Sequence, residues 1–320
     1  MGGVEVFTVV DRDYFLGGAA MALTVSHHLP DAGITFLDVG LDPDQRAWLA
    51  TRYRVVDPPE RLHPYAAKSF AVQHLDQLDP DGVLVLADAD LVATGPWRDY
   101  VASARAGALV AAIDPQPERR FDEWCALFGV EGPVTPRPYV NSGLVFWSLR
   151  HHRALLERWA EICASLGERG GAQTFGSPAT FGDQDVLDAL LMTEFIATPV
   201  DVRPDTEIVV SATMYGCRTP DPASLTCIGP AGPVRALHSV QRDKPWRLRS
   251  ARAVEGAAYA RILRAVLASE IRAGSAGGPF APERVVPWLR PGPIGAARLA
   301  GPLALHALRR TAATAGRRGR

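Results

Sequence analysis

Asp88 and Asp90 stand one residue apart where the apolar run GVLVLAD (82–88) ends. If that run is a strand of an open parallel sheet, its carboxyl end is where such sheets bind ligands. Two carboxylates this close suit a shared divalent cation, because hard oxygen ligands match Mg2+ or Mn2+. Without a cation the pair is two like charges held together, which is unfavourable. The competing reading is a solvated turn, since Asp is common where strands end. The strand directly before the pair favours the metal.

Other residue types add to this. Of 34 Lys plus Arg, only Lys68 and Lys244 are lysines. A guanidinium is a rigid planar fork, whereas an ammonium is a compact charge on a flexible stem. A lysine in an arginine-writing chain therefore marks either a confined place, such as a phosphate site, or an accident of codon use. Lys244 lies in HSVQRDKPW (238–246), six residues after His238, which closes the strand-like VRALHS (234–239). His238 is either a nitrogen ligand for the same cation or a satisfied core histidine. Asn141, in RPYVNSGLVFW, is the only asparagine. An amide that both donates and accepts can read sugar hydroxyls, and it can equally serve as a turn residue.

The elements that must hold these residues alternate along the first half. VEVFTVV (4–10), ITFLDV (34–39), GVLVLAD (82–88) and ALVAAID (108–114) read as strands. Between them YFLGGAAMALTVSHHL (14–29), DQRAWLATRY (44–53) and AAKSFAVQHLDQL (66–78) read as helices. This alternation implies βαβ units and a largely parallel sheet covered on both faces. Next come a strand at 143–149, a long helix at 151–167, a Gly/Ser/Thr-rich loop at 168–181 and a helix at 183–194. A helix at 250–273 closes the body, and 286–320 reads as a poorly packed appendage with an amphipathic stretch near 294–310.

The composition, 47% hydrophobic and 22% charged, fits a globular protein. The net charge of −1 hides an asymmetry: residues 271–320 carry nine arginines and one acid, Glu283. The rest of the chain is therefore acidic, which argues against a nucleic-acid-binding body. The basic tail would either lie on an anionic membrane surface or be solvated. The four cysteines lack CxxC spacing, so neither a zinc site nor a disulfide framework is indicated. The start of the chain does not look like a signal peptide, and no window is apolar enough to span a membrane. The expectation is a cytoplasmic protein, with peripheral contact at the inner face of the membrane through the tail.

Taken in order, these motifs resemble the family 8 glycosyltransferases, which include glycogenin and the bacterial lipopolysaccharide galactosyltransferases. The resemblance covers about residues 4–250. It implies an α/β fold of GT-A type: a Rossmann-like, mostly parallel central sheet flanked by helices, with a helical basic C-terminal appendage. Residues 1–273 would form the catalytic domain and 274–320 the tail. FTVVDRDYFLGGAAM is similar to the family's first strand and nucleotide-binding turn, which places Thr8, Asp11 and Tyr14 against the base and ribose. Lys68 falls on a donor-contacting lysine. LADADLV resembles the family's DxD, with Asp88 and Asp90 as metal ligands and Ala89 against the donor. Asp114 in AAIDP, with Asn141 and Ser142, falls on sugar-facing positions. GDQDVLDALL resembles the reaction-centre helix, with Asp183 and Gln184 in catalytic positions. In HSVQRDKPW, His238 would be the third metal ligand and Lys244 would reach the diphosphate.

There are departures from the pattern. Gln241 stands about where the family has a glycine, and Thr180 stands where it often has a carboxylate. The stretch 121–138 is longer than in glycogenin-like members. The implied function is metal-dependent, retaining transfer of a hexosyl unit from a UDP-sugar to an unidentified hydroxyl acceptor, with Mn2+ or Mg2+ as cofactor. One alternative is a haloacid-dehalogenase-like phosphatase, since DADLV and GDQDVLD fit that class's motifs. Against it, that class puts its DxD on the first strand and its second motif after an apolar strand, and AQTFGSPATF is not a strand. A further alternative is a non-catalytic nucleotide- or saccharide-binding domain, whose sign would be a lost metal ligand.

Overall fold

The computed structural model describes residues 2–58, 67–168, 176–210, 214, 216–251, 254, 256–274, 276–293 and 295–299. The strands are β1 (Val4–Val10), β2 (Gly33–Asp38), β3 (Arg54–Val56), β4 (Val83–Ala87), β5 (Leu91–Ala93) and β6 (Leu109–Ile113). They continue with β7 (Val140–Ser148), β8 (Val200–Arg203), β9 (Ile208–Val210), β10 (Cys227–Gly229), β11 (Gly232–Val234) and β12 (Ala236–His238). The α-helices are α1 (Phe15–His28), α2 (Pro43–Ala50), α3 (Arg98–Arg105), α4 (Trp124–Phe128), α5 (Leu149–Glu168), α6 (Asp183–Met192) and α7 (Ala257–Ala273).

Seven strands form one sheet in the order β3-β2-β1-β4-β7-β6-β8. Its pairings are parallel except that β7 runs against both β4 and β6. Every residue of β4 is buried, as a continuous apolar run with both faces covered requires. Its side chains alternate between two cores. Val83, Val85 and Ala87 join α1 and α7 on one face, and Leu84 and Leu86 join Trp147, α5 and α6 on the other. Burying each large side chain there contributes roughly 1.5–3 kcal/mol. The expected GT-A-type α/β architecture is what the chain adopts.

A second sheet, β5-β12-β9, is what positions the site. Its strands have three residues each, too short to show a periodicity, and β5 and β9 were not expected from the sequence. The run read as a helix over 66–78 is a 3-10 helix at Lys68–Gln77. A 3-10 helix rises about 2.0 Å per residue against 1.5 Å for an α-helix, so the same residues reach further. Phe70, Ala71 and Leu75 are buried in the core that also holds α5. The closing helix starts at Ala257 rather than at 250, after Gly256. A Cβ on Gly256 would stand 2.7 Å from Cβ of Met214.

The tail also differs from its expectation. Over its described residues, 276–293 and 295–299, it packs into the core. Phe280, Ala281, Val285, Trp288 and Leu289 are buried, and the Phe280 ring lies 5.3 Å from Phe15 and 5.1 Å from Trp48. Trp288 Nε1 donates to the Leu248 carbonyl at 2.8 Å. Large apolar side chains hidden among Gly and Pro carry no periodic signal, which is why this stretch read as unpacked. Of the amphipathic stretch near 294–310, residues 295–299 are helical, and 300–320 lie outside the described residues. No helix among the described residues is long and apolar enough to cross a membrane.

Candidate active site

The chain leaves the central sheet at Ala87, turns through Asp88 and Asp90, and enters the small sheet as β5. Leu91 N–H donates to the Asp88 carbonyl at 3.1 Å and closes that turn. β12 pairs antiparallel with β5 in the register His238↔Leu91, so the last residue of β12 arrives beside Asp90. Two further bonds hold the Asp90 carbonyl: Ser239 N–H at 3.0 Å and the Tyr259 hydroxyl at 2.9 Å. His238 Nε2 lies 3.0 Å from Asp90 Oδ1 and 3.4 Å from Asp88 Oδ2. These are about the separations of neighbouring ligand atoms around a cation that binds oxygen at ~2.1 Å. Asp90 Oδ1 is buried and, among the described residues, has no hydrogen-bond partner beyond its approach to His238 Nε2, the other candidate ligand. The three residues could therefore hold a divalent ion. Room for the imidazole depends on Gly143, where a Cβ would stand 2.1 Å from His238 Cε1.

Both lysines converge on this triad. Lys68 Nζ lies 2.8 Å from Asp88 Oδ1 and 3.2 Å from Asp183 Oδ2. Lys244 Nζ donates to Asp90 Oδ2 at 2.6 Å and to the Ser239 carbonyl at 3.1 Å, and is only 7% exposed. Each ammonium thus sits against carboxylates in a confined place, the first of the two readings that a lysine in an arginine-writing chain left open. Burial opposes ionisation of Asp88, but Lys68 and then His238 outweigh it and hold the carboxyl below the usual range. Burial also opposes a charge on His238, and the two carboxylates reverse that and raise it to about 9. Burial pushes Asp183 up, against the pull of Lys68.

Beyond the triad lies an amide and carboxylate network. α6 is preceded by Gly182, whose φ of 52° favours glycine. Its first residues, Asp183 and Gln184, face β7. Gln184 Nε2 donates to Asp114 Oδ2 at 3.0 Å, and its Oε1 accepts from Asn141 Nδ2 and Ser142 N, both at 3.1 Å. Asn141 Nδ2 also lies 3.3 Å from Asp114 Oδ2, and Ser142 Oγ donates to Asp183 Oδ2 at 3.1 Å. A bulge in the β6–β7 ladder between Ala111 and Ala112 resets the register to Ala112↔Asn141, which places Asp114 next to Asn141. Two wholly buried acids follow on the same helix: Asp185, directly after Gln184, and Asp188 about one turn further on.

These residues line two cavities that meet at Lys68, Asp88 and Asp90. One, of about 440 Å3, is lined by Asp114, Asn141, Ser142, Asp183, Gln184, His238 and Lys244. The other, of about 470 Å3, is lined by Asp11, Tyr14 and Ala89 with apolar neighbours including Val9 and Val39. Asp11 Oδ1 accepts from the N–H groups of Asp13 and Tyr14, so it also shapes the turn it sits on. Lys244 lies 5.7 Å over the Tyr14 ring, and Trp246 Nε1 donates to the Asp13 carbonyl at 2.7 Å, which docks the closing segment on that turn.

Thr8 is not brought to either cavity. It is 1% exposed on β1, and its hydroxyl has no hydrogen-bond partner among the described residues. The β1 pleat turns it away from the cleft, an orientation that a resemblance in sequence order cannot supply. In the other direction, Gln116, Phe181, Val210 and Val240 line the first cavity and were not singled out from the sequence. Gln116 and Phe181 adjoin residues that were, whereas Val210 ends β9, a strand without a sequence signal. The phosphatase alternative loses ground here, because turns rather than a strand precede Asp183. The non-catalytic alternative finds no lost ligand in the triad.

No family profile matches the sequence, and no curated protein matches it. Solved structures do match. One is the galactosyltransferase LgtC in complex with donor and acceptor sugar analogues, at 17% identity and a TM-score of 0.53, covering 82% of this chain and 95% of that one. Another is the WbbM bifunctional glycosyltransferase without ligand, at 13% identity and a TM-score of 0.52, covering 82% of this chain and 50% of that one. The chain has the GT-A fold of these glycosyltransferases.

Proposed function

We propose that the chain is a metal-dependent, retaining glycosyltransferase that moves a hexosyl unit from a UDP-sugar to a hydroxyl acceptor. One observation carries this reading: the triad Asp88, Asp90 and His238 lies where the two cavities meet, with an ammonium on either side. The apolar-walled cavity with Tyr14 suits a base and ribose, and the cavity lined by carboxylates and amides suits a sugar. LgtC, solved with donor and acceptor sugar analogues, supports the same assignment through its fold.

The triad would hold Mn2+ or Mg2+, which when bound stabilises negative charge on a diphosphate. Lys244 exchanges Asp90 for a phosphate oxygen and adds a fixed positive charge where the leaving group develops its own. Lys68 ties the metal-side carboxylate Asp88 to Asp183 and so spans the bond to be broken. Gln184, Asn141 and Asp114 present donors and acceptors to sugar hydroxyls. The acceptor oxygen bonds to the anomeric carbon as that carbon parts from the diphosphate oxygen, which takes up the acceptor's proton. Attack comes from the face the diphosphate leaves, which retains configuration. Asp183, held through Oδ2 by Lys68 and Ser142 Oγ, orients groups in this reading rather than attacking.

The test is calorimetric titration of UDP into the protein with and without Mn2+, alongside Asp88→Asn. We expect binding that needs the metal and is lost in the variant. Absence of UDP binding with any divalent ion would overturn the reading.

A further inference from the structure

Arg119 lines neither cavity, yet it ties together the segments that form the sugar-side wall. It is 8% exposed. Its Nε and Nη2 donate to Asp185 Oδ1 and Oδ2 at 2.7 and 3.0 Å, and Nη2 also donates to the Ser177 carbonyl at 2.7 Å. The guanidinium lies 4.8 Å from the rings of both Phe121 and Phe181 and 5.8 Å from that of Tyr139. Asp185 is completed by the Tyr139 hydroxyl at 2.8 Å and by Phe181 N–H at 2.8 Å. One side chain thus joins the loop after β6, which carries Asp114 and Gln116, to the start of β7, to the turn holding Phe181, and to α6.

We propose that Arg119 is a positioning residue for sugar transfer. By holding Asp185, it fixes the adjacent Gln184 and the facing Phe181 where the sugar cavity needs them. The inference rests on the glycosyltransferase reading above. A planar fork is required, because Asp185 is gripped through both oxygens while the guanidinium lies over aromatic rings. None of the partners belongs to the nucleotide cavity or to the Asp88, Asp90 and His238 triad. Arg119 should therefore govern turnover without governing nucleotide binding. That split separates positioning from a merely structural role.

The experiment measures kcat and KM for hydrolysis of UDP-glucose, UDP-galactose and UDP-N-acetylglucosamine with Mn2+, together with the UDP dissociation constant and thermal midpoint. It compares the native protein, Arg119→Lys, and the double variant Arg119→Met with Asp185→Asn. The double variant leaves no unpaired buried charge, so it keeps the test usable if the single variant fails to fold. We expect kcat to fall at least about tenfold in a folded variant, the scale of losing an outer partner of a site. KM and the UDP dissociation constant should stay within about twofold. Unchanged kcat in a folded variant would overturn the proposal and leave the glycosyltransferase reading standing. Turnover and UDP binding lost in parallel with folded protein would also overturn it, because the role would then be structural. Native protein that binds UDP but turns over none of the donors would overturn this inference alone, and native protein that also binds no UDP would sink the underlying reading with it.

Discussion

On the side of Tyr14, the cleft is walled by the end of β1 and the Asp11–Tyr14 turn after it, with Val39, Lys68 and the Asp88–Asp90 turn beyond. On the side of Gln184, it is assembled from the loop after β6, the start of β7, the Phe181 turn, the end of β9 and the segment after β12. The first side rests on local backbone geometry, an Asp11 side chain that organises its own turn. The second rests on side chains that satisfy one another across long sequence separations, as Gln184 does with Asp114, Asn141 and Ser142. The triad lies between and borrows from both, since its two aspartates come from a single turn but His238 arrives through strand pairing. The contrast teaches that metal and nucleotide binding should be separable from turnover by mutation.

The sharpest way to break that separation is at Gly143, where sugar-side backbone touches a metal-side ligand. Gly143→Ala puts a methyl into the His238 ring. Metal-dependent UDP binding should weaken by more than the roughly 10–100-fold that outer partners cost. Stability should fall by about 1–3 kcal/mol, as overpacking does. Native UDP affinity in this variant would show that His238 is not a ligand. Asn141→Ala acts on the sugar side alone, deleting donors to Asp114 and Gln184 and the acceptor for Gly143 N–H. UDP-sugar turnover should drop about tenfold, within the range for buried hydrogen-bonding groups left unpaired. Metal-dependent UDP binding should hold. Loss of that binding instead would mean that the two sides are one unit.

The mildest effect is expected behind the wall. Asp185 has Arg119, whereas Asp188 on the same helix accepts from the Val140 N–H at 2.9 Å, feels Arg137 weakly, and has an Oδ2 with no hydrogen-bond partner among the described residues. Burial pushes the Asp188 carboxyl well above its ordinary 3.8, with Asp185 and Asp114 adding to the push. A raised folded-state value means the folded chain keeps a proton that the unfolded chain has released. Stability from this group is complete below about pH 4 and is lost as pH rises through the folded-state value. Asp188→Asn removes that loss, so at pH 7 the variant should exceed the native protein by about 1–3 kcal/mol, and the two should converge near pH 4. Urea midpoints across this range would test it, and a pH-independent difference would refute it. Activity should be unaffected.

Much of the site was legible because its chemistry is compositional. Two lysines among arginines, a single asparagine and two aspartates at a strand exit are rare types in telling places, and the structure brings all of them to the cleft. The long strands were legible too, since β1 and β4 are runs of apolar residues covered on both faces. What escaped notice were the three-residue strands β5 and β9, the 3-10 geometry after Lys68, the packing of Phe280 and Trp288, and the inward turn of Thr8. The two strands are too short to show a period, the run after Lys68 has the pattern of an α-helix, and the buried aromatics lie among Gly and Pro; each outcome is decided by what the residues lie against.

The sequence by itself determined the alternation of strands and helices, the acidic body with its basic tail, and the residues able to hold a cation, because apolar periodicity and residue chemistry are local properties. Only the tertiary structure decided that His238 meets Asp90, that Gln184 is the hub of the sugar-side network, and that Asp185 is answered by Arg119 while Asp188 is left to its burial. Those outcomes depend on strand register and on charge pairing across the core, and neither is written in any short stretch of chain.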